Sequence, residues 1–247
     1  MPNYRSVGDV PRKRHLRVAG PDGGLLHEEL VGEEGFAGES SLLYHLRSPS
    51  AIVDAKAIDD DRPGLVTNHP LLPRHLRTRL LPDTGDAVTG RHVLLGNDDL
   101  TLSWVVADPE HGEHRSPLYR NATGDELVFV QGGHGVVQSV FGRLEVGPGD
   151  YVVVPASVAH RWLVSGPGCL QLLVVEARGH VRPPSRYLSP TGQFLEQAPY
   201  CERDIRAPVE PDVDVGAEDR GPVDLLVRHH GGLTRHTLAS SPFDVVG

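Results

Sequence analysis

Between residues 91 and 177 the chain breaks into short, mostly Val- and Leu-rich runs separated by Gly, Pro, Asn or Asp. The runs are Arg91–Leu95, Leu100–Val106, Leu118–Arg120, Glu126–Gln131, Gly135–Phe141, Arg143–Val146, Tyr151–Val154, His160–Val164 and Leu170–Glu176. Runs of this length and composition are strand signals, and their close spacing predicts a sandwich or barrel rather than βαβ units. Gly147-Pro148-Gly149-Asp150 reads as a turn between two of them, and so does Gly132-Gly133-His134-Gly135, which no helix signal follows. Trp104 and Trp162 fall inside strand runs, where large aromatics anchor a core or rim.

The flanks are more punctuated. Upstream, Leu25–Leu30, Ser41–Leu46 and Ala51–Val53 are β-like, and Arg74–Leu80 offers a helical turn among Pro63, Pro70, Pro73 and Pro82. Downstream, a Pro-rich connection leads to Val223–Arg228 and Leu233–Leu238, joined by the hairpin loop His229-His230-Gly231-Gly232. The closing Ser241–Gly247 reads as an interrupted strand, with Phe243 to Val246 as an unmatched edge. The expectation is an all-β chain with few short helices. Residues 1–90 form an N-terminal β-rich extension packing on the barrel and residues 91–177 the barrel. Residues 178–247 form a loop-rich connection and the start of a second, truncated β domain.

Composition narrows the partners. With 24 basic and 33 acidic groups the net charge is −9, which argues against nucleic acid or an anionic membrane. Arg12-Lys13-Arg14-His15 is a short, isolated basic run, read as solvated. No segment approaches the ~18 apolar residues of a membrane span, and the N-terminus has no apolar leader. Cys169 and Cys201 make no disulfide framework, so a cytoplasmic setting is expected. Cys169 lies in an apolar run and reads as a small buried hydrophobe.

The candidate chemistry sits in Gly124-Asp125-Glu126 and in Gly149-Asp150-Tyr151 through His160. This pair resembles the two motifs of the cupin β-barrel, which build a metal site from two His and a Glu on one motif and a His on the other. The resemblance implies a double-stranded β-helix, or jelly-roll, with Glu126 and His160 as residual metal positions. Tyr119 and Asn121 stand where the resemblance places the two missing His. Glu126 is otherwise a hydrogen-bonded inner-strand residue and His160 a satisfied rim histidine. His114 and His134 are the further histidines that could join them, although no spacing requires it. His111-Gly112-Glu113-His114 reads as a surface loop, since i and i+3 in a strand face opposite ways. No nucleophile elbow surrounds Ser40-Ser41, and neither Cys sits in a nucleophile signature.

Further blocks run in order along the chain: Pro11-Arg12-Lys13-Arg14-His15, Glu28-Glu29-Leu30, Gly35-Phe36, Ser40–His45, Tyr119-Arg120-Asn121, Phe141–Leu144 and Ser241–Gly247. Together they resemble the homogentisate 1,2-dioxygenases, a bicupin family of tyrosine and phenylalanine breakdown. The resemblance implies an Fe(II) enzyme that uses O2 to cleave homogentisate to maleylacetoacetate, and that forms a homo-oligomer. It also implies that the N-terminal cupin is metal-free. The family's iron ligands follow the block at which this chain ends, so none is carried over and the chain alone is expected to be inactive. The alternatives are a stand-alone metal-free cupin serving as a ligand-binding or assembly module, and a different cupin enzyme built on Glu126 and His160.

Overall fold

The computed structural model describes residues 6–10, 17–32, 40–60, 62, 64–81, 85–108, 114–213 and 221–247. Within them the chain is almost entirely strand and loop. The strands are β1 (His27–Val31), β2 (Ser41–His45), β3 (Ile52–Ile58), β4 (His92–Gly96), β5 (Leu100–Ala107), β6 (Leu118–Asn121) and β7 (Glu126–Gly132). They continue with β8 (His134–Ser139), β9 (Gly142–Val146), β10 (Tyr151–Val154), β11 (His160–Ser165), β12 (Leu170–Ala177), β13 (Val223–His229) and β14 (Gly232–Leu238). The helical turn expected over 74–80 contracts to a 3-10 turn at Thr78–Leu80. The expected all-β architecture is the one observed.

Two sheets enclose the core. One runs β10-β7-β12-β5-β4, the other β3-β14-β13-β6-β11-β8-β9. Alternation along each strand decides what enters. On β12, Leu170, Leu172, Val174 and Glu176 face inward, in register with Val105 and Ser103 of β5 and Val130, Val128 and Glu126 of β7. Tyr119 of β6 and His160 and Trp162 of β11 face them from the second sheet. The outer face of the first sheet is apolar too. Tyr151, Phe129, Leu173 and Trp104 form one cross-strand row, and Val153, Leu127, Val175, Leu102 and Leu95 a second. Hence these runs read as nearly continuous Val and Leu rather than as a strict alternation.

Two expectations change. The β13–β14 hairpin, expected to open a second domain, extends the barrel's own sheet. Residues Leu225 to Arg228 pair in parallel with Leu118 to Asn121 of β6, and β14 pairs with β3. The two parallel strands are joined by residues 122–222, which run through β7 to β12 and far exceed the dozen residues a parallel crossover needs. The closing segment is not an open edge either. On one side Val246 N–H donates to Tyr44 O (2.9 Å) and Tyr44 N–H to Gly247 O (2.9 Å). On the other, Asp9 N–H donates to Val246 O (2.7 Å). Phe243 and Val245 are buried, so the apolar cluster that looked interrupted completes the core. Cys169, expected to be buried, is only half-buried at the start of β12. The basic run at 12–15, Gly35-Phe36 and His111 to Glu113 lie outside the described residues.

Candidate functional site

Glu126 enters the barrel through a turn with no room for a side chain at its start. A Cβ on Gly124 would lie 2.0 Å from the Ala177 carbonyl oxygen. Asp125 then fastens the turn, accepting from Ala156 N–H and Val181 N–H, each at 2.8 Å. The loop before His160 is held in the same way. Ser157 sits at φ +66° and donates its N–H to Asn121 O at 2.7 Å, which offsets the cost of a left-handed residue. The two motifs are thereby locked together at the barrel's end.

Inside, Glu126 lies directly opposite Glu176 in the β7–β12 ladder. Like charges at facing positions repel, and burial increases that cost. The offsetting charge comes from Arg91, just before β4. Its Nη1 donates to Glu126 Oε1 (2.9 Å) and Glu176 Oε1 (3.2 Å), and its Nη2 to Glu126 Oε2 (2.9 Å). Its Nε donates to Ala87 O (3.0 Å) in a turn that Asp86 caps through Val88 N–H and Thr89 N–H. The side chains of Arg91 and Glu126 are each 1% exposed. Asn121 Nδ2 donates to Glu126 Oε1 as well, at 3.1 Å.

A second guanidinium, Arg62, grips Glu176 at 2.5 and 3.1 Å, and the Tyr119 hydroxyl lies 3.4 Å from Glu176 Oε1. Arg62 also meets Asp60 (3.9 Å), and Asp60 meets Arg228. Alternating charges therefore run from the surface to the barrel centre.

Ionisation follows from this packing. Burial alone would raise the Glu126 pKa, but the Arg91 guanidinium pulls it down to about 2. Burial opposes the Arg91 charge, and the two carboxylates more than restore it. Burial and the Glu126 charge push the Tyr119 phenol up, so it stays neutral. His160 is pushed down by burial, only partly countered by Glu126. Its Nδ1 faces Val158 O at 3.1 Å, and its Nε2 has no partner among the described residues. His160 is therefore a fully buried interior residue, not a rim histidine. Its ring meets Tyr119 edge-on at 5.6 Å between centroids.

Cupin metal chemistry of the dioxygenase kind needs carboxylate and imidazole ligands on one face of the ion, with open positions beside them. The residues present do not fit that demand. Both Glu126 oxygens are taken by Arg91, Tyr119 and Asn121 offer no imidazole, and His114 and His134 are exposed on the outside. His229 is satisfied within its own hairpin, by Thr234 and by Gly231 N–H.

A second buried ion cluster joins the two ends of the chain. His45 is fully buried, with Nδ1 2.7 Å from Asp244 Oδ1 and Nε2 3.1 Å from Glu29 Oε2. Asp244 also accepts Arg47 N–H (2.8 Å), and Arg120 lies 3.6 Å from Glu29. Burial would lower the His45 pKa, but the two carboxylates raise it to about 9.

Sequence reasoning missed Arg91, Glu176 and Arg62. A signal existed for Glu176, because period two along Leu170, Leu172 and Val174 carries it inward. Arg91 and Arg62 precede or lie outside strands, and no local pattern marks them.

Comparison with known proteins bears on the fold. Residues 105–176 match the cupin domain family. The barrel is a cupin barrel. Over 99% of this chain, a protein of Saccharolobus solfataricus described as a "putative dioxygenase" is 33% identical, and the match takes in 61% of that relative. A homogentisate 1,2-dioxygenase of Rhodopseudomonas palustris is 31% identical over 72% of this chain and 36% of its own length. The chain thus spans under two thirds of the curated relatives it matches. Among solved structures, a double-stranded β-helix protein of Klebsiella pneumoniae aligns over 44% of this chain and 92% of its own, at 20% identity and a TM-score of 0.38. No helix among the described residues is long and apolar enough to cross a membrane.

Proposed function

We propose that this chain supplies the structural cupin of a ring-cleaving dioxygenase of the homogentisate type, with the iron chemistry lying outside this barrel. In this reading Fe(II) and O2 convert homogentisate to maleylacetoacetate in tyrosine and phenylalanine catabolism, in the cytoplasm, within a homo-oligomer. Residues 91–177 are the cupin unit, with 1–90 and 178–247 packed on it. The enzymatic half of the proposal is supported by the 33% identity to a dioxygenase relative across nearly the whole chain. The structural half rests on one observation, the capture of Glu126 by Arg91.

A metal-dependent dioxygenase keeps its carboxylate available to the ion and a position open for substrate. Here the carboxylate is bound twice over by a guanidinium. The paired closing segment also removes the open edge that would have favoured a stand-alone assembly module.

Two measurements test this reading. Disrupting the gene in its host should make homogentisate accumulate when tyrosine is supplied, and undiminished homogentisate consumption would overturn the assignment. The purified chain, reconstituted anaerobically with Fe(II), should show no homogentisate-dependent O2 uptake. Uptake by this chain alone would overturn the structural role.

A further inference from the structure

Most of the exposed large apolar residues of this chain gather in two places. One is the outer face of the five-stranded sheet, where Tyr151, Val153, Leu95 and Leu100 are open to solvent. The other is a strap, residues 64–81, which exposes Leu65, Val66, Leu71, Leu72, Leu76 and Leu80. We propose that the strap of one copy seats on this sheet face of a second copy, so that each patch covers the other. The inference rests on the homo-oligomer of the proposed reading and assigns its contact surface.

Three observations carry it. First, the strap has no structural use for its apolar residues within one chain. It is irregular up to the 3-10 turn at Thr78–Leu80, and Val66 and Leu71 are 89% and 86% exposed. A segment this long without sheet or helix is commonly a binding element, and its density of exposed leucine exceeds the scatter of an ordinary surface. Pro70 and Pro73 restrict its backbone, which lowers the entropy lost on docking. Second, strap and face are chemically complementary. Arg74, Arg77 and Arg79 are exposed, the strap holds no Asp or Glu, and none of the three meets a carboxylate among the described residues. The two apolar rows of the face hold no charged residue, but the β4–β5 turn at its corner exposes Asp98 and Asp99 between Leu95 and Leu100. Asn97 Oδ1 fixes that turn by accepting Asp99 N–H (2.8 Å) and Leu100 N–H (2.9 Å). Neither aspartate meets a cation among the described residues.

Third, the strap does not close on its own sheet. It leaves from the β4 edge, where a Cβ on Gly96 would meet Leu65 Cδ1 at 3.0 Å, yet Tyr151 on the opposite edge strand stays 69% exposed. Copies of a chain of net charge −9 repel one another. An uncharged face and a basic strap are where their approach costs least.

The test is sedimentation equilibrium of the full 247-residue chain over roughly 1–100 μM, with circular dichroism and the melting temperature reporting the fold. The wild type should self-associate. Leu71→Asp with Leu72→Asp in the strap should weaken association at least about tenfold and leave the fold intact, since both residues are exposed. Tyr151→Glu with Val153→Glu on the face should do the same, and mixing these two double variants should recover association, because each supplies the surface the other lacks. Should the face variant unfold, the charge swap takes its place. Arg77→Glu with Arg79→Glu should weaken association, and adding Asp98→Lys with Asp99→Lys should restore it. A wild type that associates as strongly as its folded strap variant overturns the inference and leaves the homo-oligomer standing. A wild type monomeric over the whole range overturns both, while the gene disruption still decides the dioxygenase reading by itself. A monomer that instead binds vesicles of anionic phospholipid through the strap, or a charge swap that restores nothing, also overturns the inference.

Discussion

The two buried ion clusters share one plan and differ in one atom group. In the barrel a guanidinium sits between Glu126 and Glu176, and at the junction of the chain's ends an imidazole sits between Asp244 and Glu29. Each places one buried cation against two carboxylates, of which Glu29 is the most exposed at 20%. The guanidinium never deprotonates in the accessible pH range, whereas the imidazole does. The barrel centre therefore carries a permanent charge, and the clasp between β2 and the closing segment carries a conditional one. Burial makes both necessary, but only one can be switched off by pH.

Breaking the permanent cluster should have the larger effect. Arg91→Met leaves Glu126 buried without a counter-charge and facing Glu176, which keeps only Arg62, and should cost about 3–5 kcal/mol in urea unfolding. Adding Glu126→Gln and Glu176→Gln should recover most of that loss, since neutral partners no longer need the cation. No recovery would mean that the cost lies in packing rather than in charge.

The conditional cluster should reveal itself through pH. The folded pKa of His45, about 9, lies above the unfolded value of about 6.5. Its stabilisation is therefore fully present below pH ~6.5 and is lost as pH rises through about 9, with a span of about 3 kcal/mol. His45→Gln should flatten that part of the stability curve. A wild-type curve as flat as the variant's would remove the distinction between the two clusters.

Smaller effects sharpen the comparison. Arg62 is 20% exposed and is the second cation on Glu176, so Arg62→Ala should cost only about 1–2 kcal/mol. That loss should shrink at high salt, which a denaturation series in NaCl would show. The exposed Lys56–Asp54 pair on β3 is the opposite limit. Lys56→Ala should leave the melting temperature unchanged, because side-chain entropy and screening cancel such contacts.

How much of this was legible in the sequence depends on the range of the interaction. Strand positions from β4 to β12 followed from local composition, and the turns at Gly133 and Gly231 from residue type. Glu126 and His160 were marked by the motif that holds them. Their partners were not, because Arg91 reaches Glu126 across 35 residues and Arg62 reaches Glu176 across 114. His45 meets Asp244 across 199 residues, so the closing segment looked unfinished until its partner strand was in view. The β13–β14 hairpin was read correctly as a hairpin and wrongly as a new unit, since parallel pairing with β6 leaves no local trace. Charge complementarity in a buried site is a property of register, and register comes from the whole sheet.

The most direct measurement is the divalent metal content of the wild-type chain after anaerobic reconstitution with Fe(II), set beside Glu126→Gln. A barrel whose cation is Arg91 should hold no iron that depends on Glu126, so the two proteins should match. Stoichiometric iron in the wild type that disappears in Glu126→Gln would contradict the account.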